Sequence, residues 1–388
     1  MIKLVSDTID REDINALIDW LKQDPIPKLT KGELTIELEK RWAKKVGTKY
    51  SVFVNSGSSA ILLLLAALKE QGVFSKNKKI AVPSLSWLTD VSSPIQLGLN
   101  PVLVDCNLED LSVDLGHLEQ VFIKEKPAAM ILVHVLGLVP KMNDLVELCR
   151  KYGVLIVEDV CESMGSKYKG KPLGNSNMTV GSVYSTYFGH HISTIEGGFI
   201  NCNDSDLYYL LLALRSHGWD RDLPKNIQKA WRSEWEIEEF DALYTFYYPG
   251  FNLRSTDLQA FIGLRQIEKL DHFAQRRQEN FKIYQDNISD NLLNVQHRKG
   301  DFISNFAYPV VHKERASIVK DLKKIGVEVR PLIAGSMAEK PFWKGKKPKM
   351  PNCELINKFG FYLPNHQDLS EEDILKICEI VNYHSLPF

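Results

Sequence analysis

Three short stretches of this chain carry side chains that could do chemistry together. In Asn55-Ser56-Gly57-Ser58-Ser59-Ala60 a β-branched run passes straight into an Ala/Leu-rich helix. Backbone N–H groups at such a helix start, joined by small hydroxyls, suit a phosphate, and an ordinary N-cap has the same look. No Gly-Lys-Ser/Thr follows, so this is not a Walker A loop. In Ile156-Val157-Glu158-Asp159-Val160-Cys161-Glu162-Ser163 three acids crowd the end of an apolar strand. An acid there can ligate a metal, act as a general base, partner a protonated ring nitrogen, or cap the next helix. The lack of a further Asp/His pair at matching spacing disfavours the metal. In Pro83-Ser84-Leu85-Ser86-Trp87 an aromatic follows another strand, either to stack on a planar ligand or to pack in the core.

The chain that must position these residues has 388 of them, 44% hydrophobic and 25% charged, the balance of a folded globular protein of one large or two joined domains. Lys+Arg 48 against Asp+Glu 49 leaves no basic footprint for nucleic acid. The six cysteines (106, 149, 161, 202, 353 and 378) are scattered without a C-x-x-C pair and read as reduced core thiols. Charge enters the N-terminus before an apolar core of a signal peptide can form. The longest apolar runs, such as 128–139, fall short of the ~20 residues of a membrane span. The expectation is a soluble, cytoplasmic protein with no nucleic-acid or membrane partner.

Thr30-Lys31-Gly32-Glu33 has capping-box spacing ahead of an amphipathic Leu34–Trp42 pattern. Beyond it, strand-like runs at 51–54, 80–82, 101–104, 128–135 and 154–157 alternate with helical patterns, which predicts a mostly parallel sheet in an α/β domain. Two strand-like runs flank Glu196-Gly197-Gly198 as a hairpin would, a polar, tryptophan-rich stretch runs from Gly218 to Gly250, and a long helix begins at Asp257. We expect a large α/β domain over 1–255, then a bridging helix and a smaller α+β domain over 256–388.

A phosphate cradle, a stacking aromatic and a strand-end Asp on successive crossings of a parallel sheet match one planar phosphorylated heterocycle. On these motifs and on Ile195-Glu196-Gly197-Gly198, the chain resembles the fold type I pyridoxal-phosphate enzymes, and within them the DegT/DnrJ/EryC1/StrS sugar aminotransferase family, over nearly its whole length. The resemblance implies a seven-stranded sheet flanked by helices. It implies that Gly57, Ser58 and Ser185 hold the phosphate, Trp87 stacks on the ring, Asp159 binds the pyridinium nitrogen and Glu162 lies beside the cofactor. Asn252, in Pro249-Gly250-Phe251-Asn252, would reach the neighbouring subunit's phosphate, which implies a homodimer with shared active sites.

One departure changes the expected reaction. Where family aminotransferases carry a Schiff-base lysine, this chain reads Phe188-Gly189-His190-His191-Ile192, and no lysine occurs between Lys171 and Lys225. An imidazole cannot form that bond but can move protons near neutral pH. A histidine here resembles the nucleotide-linked 4-keto-6-deoxyhexose 3-dehydratases. One kind carries an iron–sulfur cluster, which needs grouped cysteines; only Cys353 and Cys378 lie beyond residue 202, so the metal-free kind is implied. The substrate so implied is GDP-4-keto-6-deoxymannose. The cofactor would be non-covalent pyridoxal or pyridoxamine phosphate, with His190 as catalytic residue and L-glutamate restoring the amine form. His217, Trp219, Arg221 and Arg330 are the candidate substrate contacts. The competing expectations are a lysine-free 4-aminotransferase and a catalytically inactive ligand-binding relative.

Overall fold

The computed structural model describes residues 1–175, 178–295 and 298–384. Its strands in chain order are β1 (Tyr50–Val54), β2 (Lys79–Pro83), β3 (Asn100–Val104), β4 (Ala129–Val133), β5 (Leu155–Asp159), the short pair β6 (Lys167–Tyr168) and β7 (Lys171–Pro172), β8 (Gly181–Ser185) and β9 (Gly198–Cys202). Seven of them form one sheet in the order β1-β9-β8-β5-β4-β2-β3, with β9 antiparallel to both its neighbours and the other pairings parallel. Alternate residues of β2, β4 and β5 feed two separate apolar layers: Ala81, Met130, Leu132 and Ile156 on one face, Ile80, Val82, Ile131, Val133 and Val157 on the other. Burial of both faces explains why these strands read as continuous apolar runs.

The helices are α1 (Arg11–Leu21), α2 (Glu33–Val46), α3 (Gly57–Glu70), α4 (Leu88–Gln96), α5 (Leu115–Glu125), α6 (Met142–Tyr152), α7 (Ser205–Arg215), α8 (Lys225–Glu234) and the 31-residue α9 (Asp257–Asn287). Helices α3 to α6 are the crossovers between β1 and β5. A second, antiparallel sheet of β10 (Tyr308–Val311), β12 (Gly360–Leu363) and β11 (Arg330–Pro331) follows, with α10 (Arg315–Lys324), α11 (Pro351–Phe359) and α12 (Glu371–Tyr383). Residues Ile2 to Leu4 lie against it, through Ile2 N–H to Gly326 O (2.9 Å) and Leu4 N–H to Glu328 (3.0 Å). No described helix is long and apolar enough to cross a membrane.

The structure corrects the expected cap of α2. Gly32, not Thr30, is its N-cap, and it offers no side chain. The acceptor comes from 225 residues away: Asp257 takes the N–H groups of Gly32 (2.7 Å), Leu34 (3.2 Å) and Thr35 (3.0 Å) and the Thr35 hydroxyl (2.6 Å). A Cβ on Gly32 would sit 2.6 Å from that carboxylate, so the close approach requires glycine. Asp257→Ala should therefore cost about 2 kcal/mol in urea unfolding, whereas Thr30→Ala should stay within about 0.5 kcal/mol. Two further expectations shift. The 218–250 stretch contains the helix α8, and β8 and β9 pair as a hairpin whose connection is the whole 186–197 segment, with Gly198 already inside β9.

Candidate active site

Strands β1, β5 and β8 end, and β9 begins, at one edge of the sheet, where open α/β sheets gather ligands. At the end of β1, Ser56 is an N-cap in the ordinary sense: its Oγ accepts from Ser59 N (3.0 Å). The N–H groups of Gly57 and Ser58 find no acceptor among the described residues and stay available to an anion. A Cβ on Gly57 would lie 2.6 Å from Ser185 Cβ, so glycine is what lets the helix start meet the end of β8. The same holds for Glu196-Gly197-Gly198. A side chain on Gly198 would collide with the Ser56 and Gly57 backbone, and one on Gly197 with the hydroxyls of Thr186 and Thr194, which bond each other at 2.5 Å.

The two strand-end acids of β5 divide by the alternation of a strand. Glu158 is buried and taken up by His134 Nε2 (2.8 Å), Gly174 N–H (2.9 Å) and the Thr179 hydroxyl (2.9 Å). Asp159 points to the other face, where Cys161 N–H donates to its Oδ1 (2.8 Å). Asp159 pairs in register with Val183, so Ser185, two residues further along β8, faces the same side with its backbone about 8 Å from that of Asp159. That spacing, with the free N–H groups at one end and a carboxylate at the other, fits a ring with a phosphate on one side and a protonable nitrogen on the other. Trp87, at the start of α4, is 56% exposed, which leaves its ring for a ligand rather than for the core.

Glu162 accepts from Leu136 N–H (3.1 Å), and burial, helped by the Asp159 charge, pushes its carboxyl up to about 8. A raised acid holds its proton in the folded chain after the unfolded chain has released it, so between about pH 4.5 and 8 stability falls as pH rises. Glu162→Gln should flatten this slope and, at pH 8, gain on the order of 2 kcal/mol in unfolding of the cofactor-free protein. An unchanged slope would place the Glu162 carboxyl in an ordinary solvated setting.

Thr186 and Thr194 also close the base of the next loop through Thr194 N–H to Thr186 O (2.9 Å), and His190 lies near its tip, with its N–H on Tyr187 O (2.9 Å). The half-buried His190 imidazole lies beside the Cys161 backbone carbonyl and 5.4 Å from the Phe306 ring. Burial lowers its pKa to about 4 against the pull of that carbonyl, so it is a neutral base at pH 7. His191 turns the other way: it is fully buried, with Nε2 3.0 Å from Ser304 O.

The remaining candidates form two groups. His217 N–H bonds Phe251 O (2.6 Å), Ser216 bridges Asn252, and the Arg221 guanidinium sits 3.9 Å above the Trp219 ring, so His217, Trp219, Arg221 and the exposed Asn252 share one substructure. It is anchored by buried Arg215, which donates to Glu39, to Phe53 O (2.9 Å) and to Asp222 (3.2 Å). Arg330, exposed on β11, instead lies beside Tyr362, whose phenol faces Glu162. Sequence reasoning missed Tyr362 and Asp90; the three-residue spacing from Trp87 to Asp90 along a helix start was the available signal for the latter.

A further trio, Asp105, Cys106 and Cys353, approaches within 4.8 Å. The Asp105 oxygens already accept from the N–H groups of Cys106 (2.9 Å), Asn352 (3.1 Å) and Cys353 (2.9 Å), so this carboxylate caps α11. The cavities of 560 Å³ beside α2 and 460 Å³ beside α10 are lined by none of Asp90, Asp159, Glu162 and His190.

Comparison with known proteins places this geometry. The DegT/DnrJ/EryC1/StrS aminotransferase family matches residues 7–382. GDP-4-keto-6-deoxy-D-mannose 3-dehydratase of Yersinia pseudotuberculosis is 33% identical over 388 residues, 95% of each chain. GDP-perosamine synthase of Escherichia coli O157:H7 is 29% identical over 96% of this chain and 94% of that one. A crystal structure of GDP-4-keto-6-deoxymannose-3-dehydratase with a trapped PLP-glutamate geminal diamine superposes with a TM-score of 0.87 at 28% identity, covering 98% of this chain and all of that one.

Proposed function

This chain belongs to the DegT/DnrJ/EryC1/StrS aminotransferase family, and on that premise we propose that it is a pyridoxal/pyridoxamine-phosphate-dependent 3-dehydratase. Its substrate would be a nucleotide-linked 4-keto-6-deoxyhexose, GDP-4-keto-6-deoxymannose by likeness to the 3-dehydratase relative, and its product a 4-keto-3,6-dideoxy sugar for deoxysugar and O-antigen synthesis. The observation that carries the reading is His190: the loop before Glu196-Gly197-Gly198 holds a half-buried imidazole and no lysine.

When bound, the cofactor supplies an amine that engages the sugar ketone and a protonated ring that accepts electrons. The chain does the rest. The Gly57 and Ser58 N–H groups and the Ser58 and Ser185 hydroxyls hold the phosphate dianion at the positive end of α3. Trp87 stacks on one ring face, and Asp159 keeps the ring nitrogen protonated. Glu162, which keeps its own proton at neutral pH, presents a donor beside the ring. His190, neutral at pH 7, would take at its ring nitrogen the proton released from the bound cofactor and, as imidazolium, pass it to the departing C3 hydroxyl oxygen, which leaves as water. With one residue serving as base and then acid, no second titratable group is required at the sugar.

L-Glutamate fits as the donor that restores the amine, Asn252 as a contact across a homodimer, and the cytoplasm as the compartment. Incubation with pyridoxamine phosphate, L-glutamate and a series of 4-keto-6-deoxy nucleotide sugars tests the reading. Loss of water and release of ammonia support dehydration; a stable amino sugar would make the chain an aminotransferase. Borohydride treatment of the loaded protein should leave no cofactor on the chain, and a phosphopyridoxyl-lysine peptide would overturn the non-covalent assignment.

A further inference from the structure

Asp90 is a buried acid at this site with no part in the steps above. It lies in the first turn of α4, with its N–H on Trp87 O (3.2 Å), and its side chain is fully buried. Neither of its carboxyl oxygens accepts a hydrogen bond from the described residues. An ionised carboxylate in that position would cost several kcal/mol. The groups around it make ionisation worse, because Asp159 lies against it and Glu162 and Cys161 are close by. Burial first, and then the Asp159 charge, hold its carboxyl well above the usual carboxylate range.

A protonated Asp90 has an O–H to give, and the acceptor in contact with it is the Asp159 carboxylate. The other donor found on Asp159 is the Cys161 N–H at 2.8 Å. We propose that Asp90 is a positioning residue, a neutral carboxylic acid whose O–H fixes the Asp159 carboxylate in the orientation that receives the cofactor's ring nitrogen. The choice of an acid has a physical reason. A lysine or arginine would fix Asp159 equally well but would bring a positive charge that competes with the protonated ring. A neutral acid donates without adding charge, and it also draws electron density from Asp159, so that the shared proton stays on the ring. This role rests on the reading of Asp159 as the ring-nitrogen partner.

The test uses two near-isosteric variants of the full chain, Asp90→Asn, whose amide can still donate, and Asp90→Leu, which cannot. Each is stripped of cofactor and titrated with pyridoxal phosphate by absorbance, and the bound spectrum is followed from about pH 6 to 9. Asp90→Leu is expected to weaken binding about tenfold and to shift the pH at which the bound spectrum changes, with Asp90→Asn within about threefold of wild type on both readouts. If Asp90→Leu does not fold, Asp90→Ala takes its place. A donor-free variant with wild-type affinity and spectrum overturns the proposal, as does an Asp90→Asn as impaired as Asp90→Leu. Asp159→Asn run alongside separates the two levels. If it too leaves affinity and spectrum unchanged, the ring-nitrogen reading itself fails. If Asp159→Asn alters both while Asp90→Leu is silent, only the role of Asp90 fails.

Discussion

His190→Asn is expected to lower turnover by about 10³-fold or more while leaving the fold and cofactor binding in place. The effect follows from what the imidazole does and the amide cannot. At neutral pH the wild-type ring is unprotonated, because burial holds its pKa near about 4, so its lone pair is free to take a proton. Asparagine fills similar space with no titratable group, and losing a positioned base that also serves as the acid falls at the upper end of the general acid–base range. The sign with pH is equally definite. A base must be unprotonated, so the wild-type rate should be lost as pH falls through the His190 pKa and should not drop near pH 6.5, where an ordinary histidine titrates. His191→Asn supplies the contrast. It removes a ring buried against Ser304 O and Phe306, and should cost about 1–2 kcal/mol of stability with turnover within a few-fold. Single-turnover rates on both variants decide the matter. An inactive His191→Asn beside an active His190→Asn would move the proton-transfer role to the second histidine.

Asp159→Asn carries the second large effect, a loss of about 10²-fold or more in turnover. An amide cannot stabilise the protonated ring nitrogen, so the electron sink weakens at the step where the C3–oxygen bond breaks. The fold should survive, because the local duty of Asp159 is to accept the Cys161 N–H, and an asparagine oxygen can do that. Product mass and ammonia release, with circular dichroism as the control, give the readout. Near-wild-type turnover would mean that the ring nitrogen lies elsewhere.

These predictions draw on two kinds of information, and particular residues show where they part. Short-range pattern carried much. The apolar runs at 80–82 and 154–157 announced strands buried on both faces, because a parallel sheet covered by helices leaves no face for polar alternation. The helix beginning at Asp257 was legible for its length, and β5 was legible from its apolar run, although the strand continues two residues past that run through Glu158 and Asp159. The histidine in place of a lysine was also plain in the chain, since a missing amine needs no geometry to be seen.

Other features had no local signature. Thr30 had capping spacing and does not cap, because Asp257 reaches α2 first from a distant part of the chain. The pair Glu158 and Asp159 looked alike in the chain and are opposites in the fold, one consumed by His134, Gly174 and Thr179, the other turned toward the sheet edge. Asp90 was silent until β2 and β5 came to the same edge and set it against Asp159. The sequence by itself determined most strands of the large sheet, the long helix from Asp257 and which residue types the chemistry has at hand, since backbone propensity and burial periodicity act over a few neighbours. Only the tertiary structure decided which acid faces the ligand, which glycines must be glycines and which carboxyl keeps its proton, because those depend on close approach and on loss of water between groups far apart in the chain.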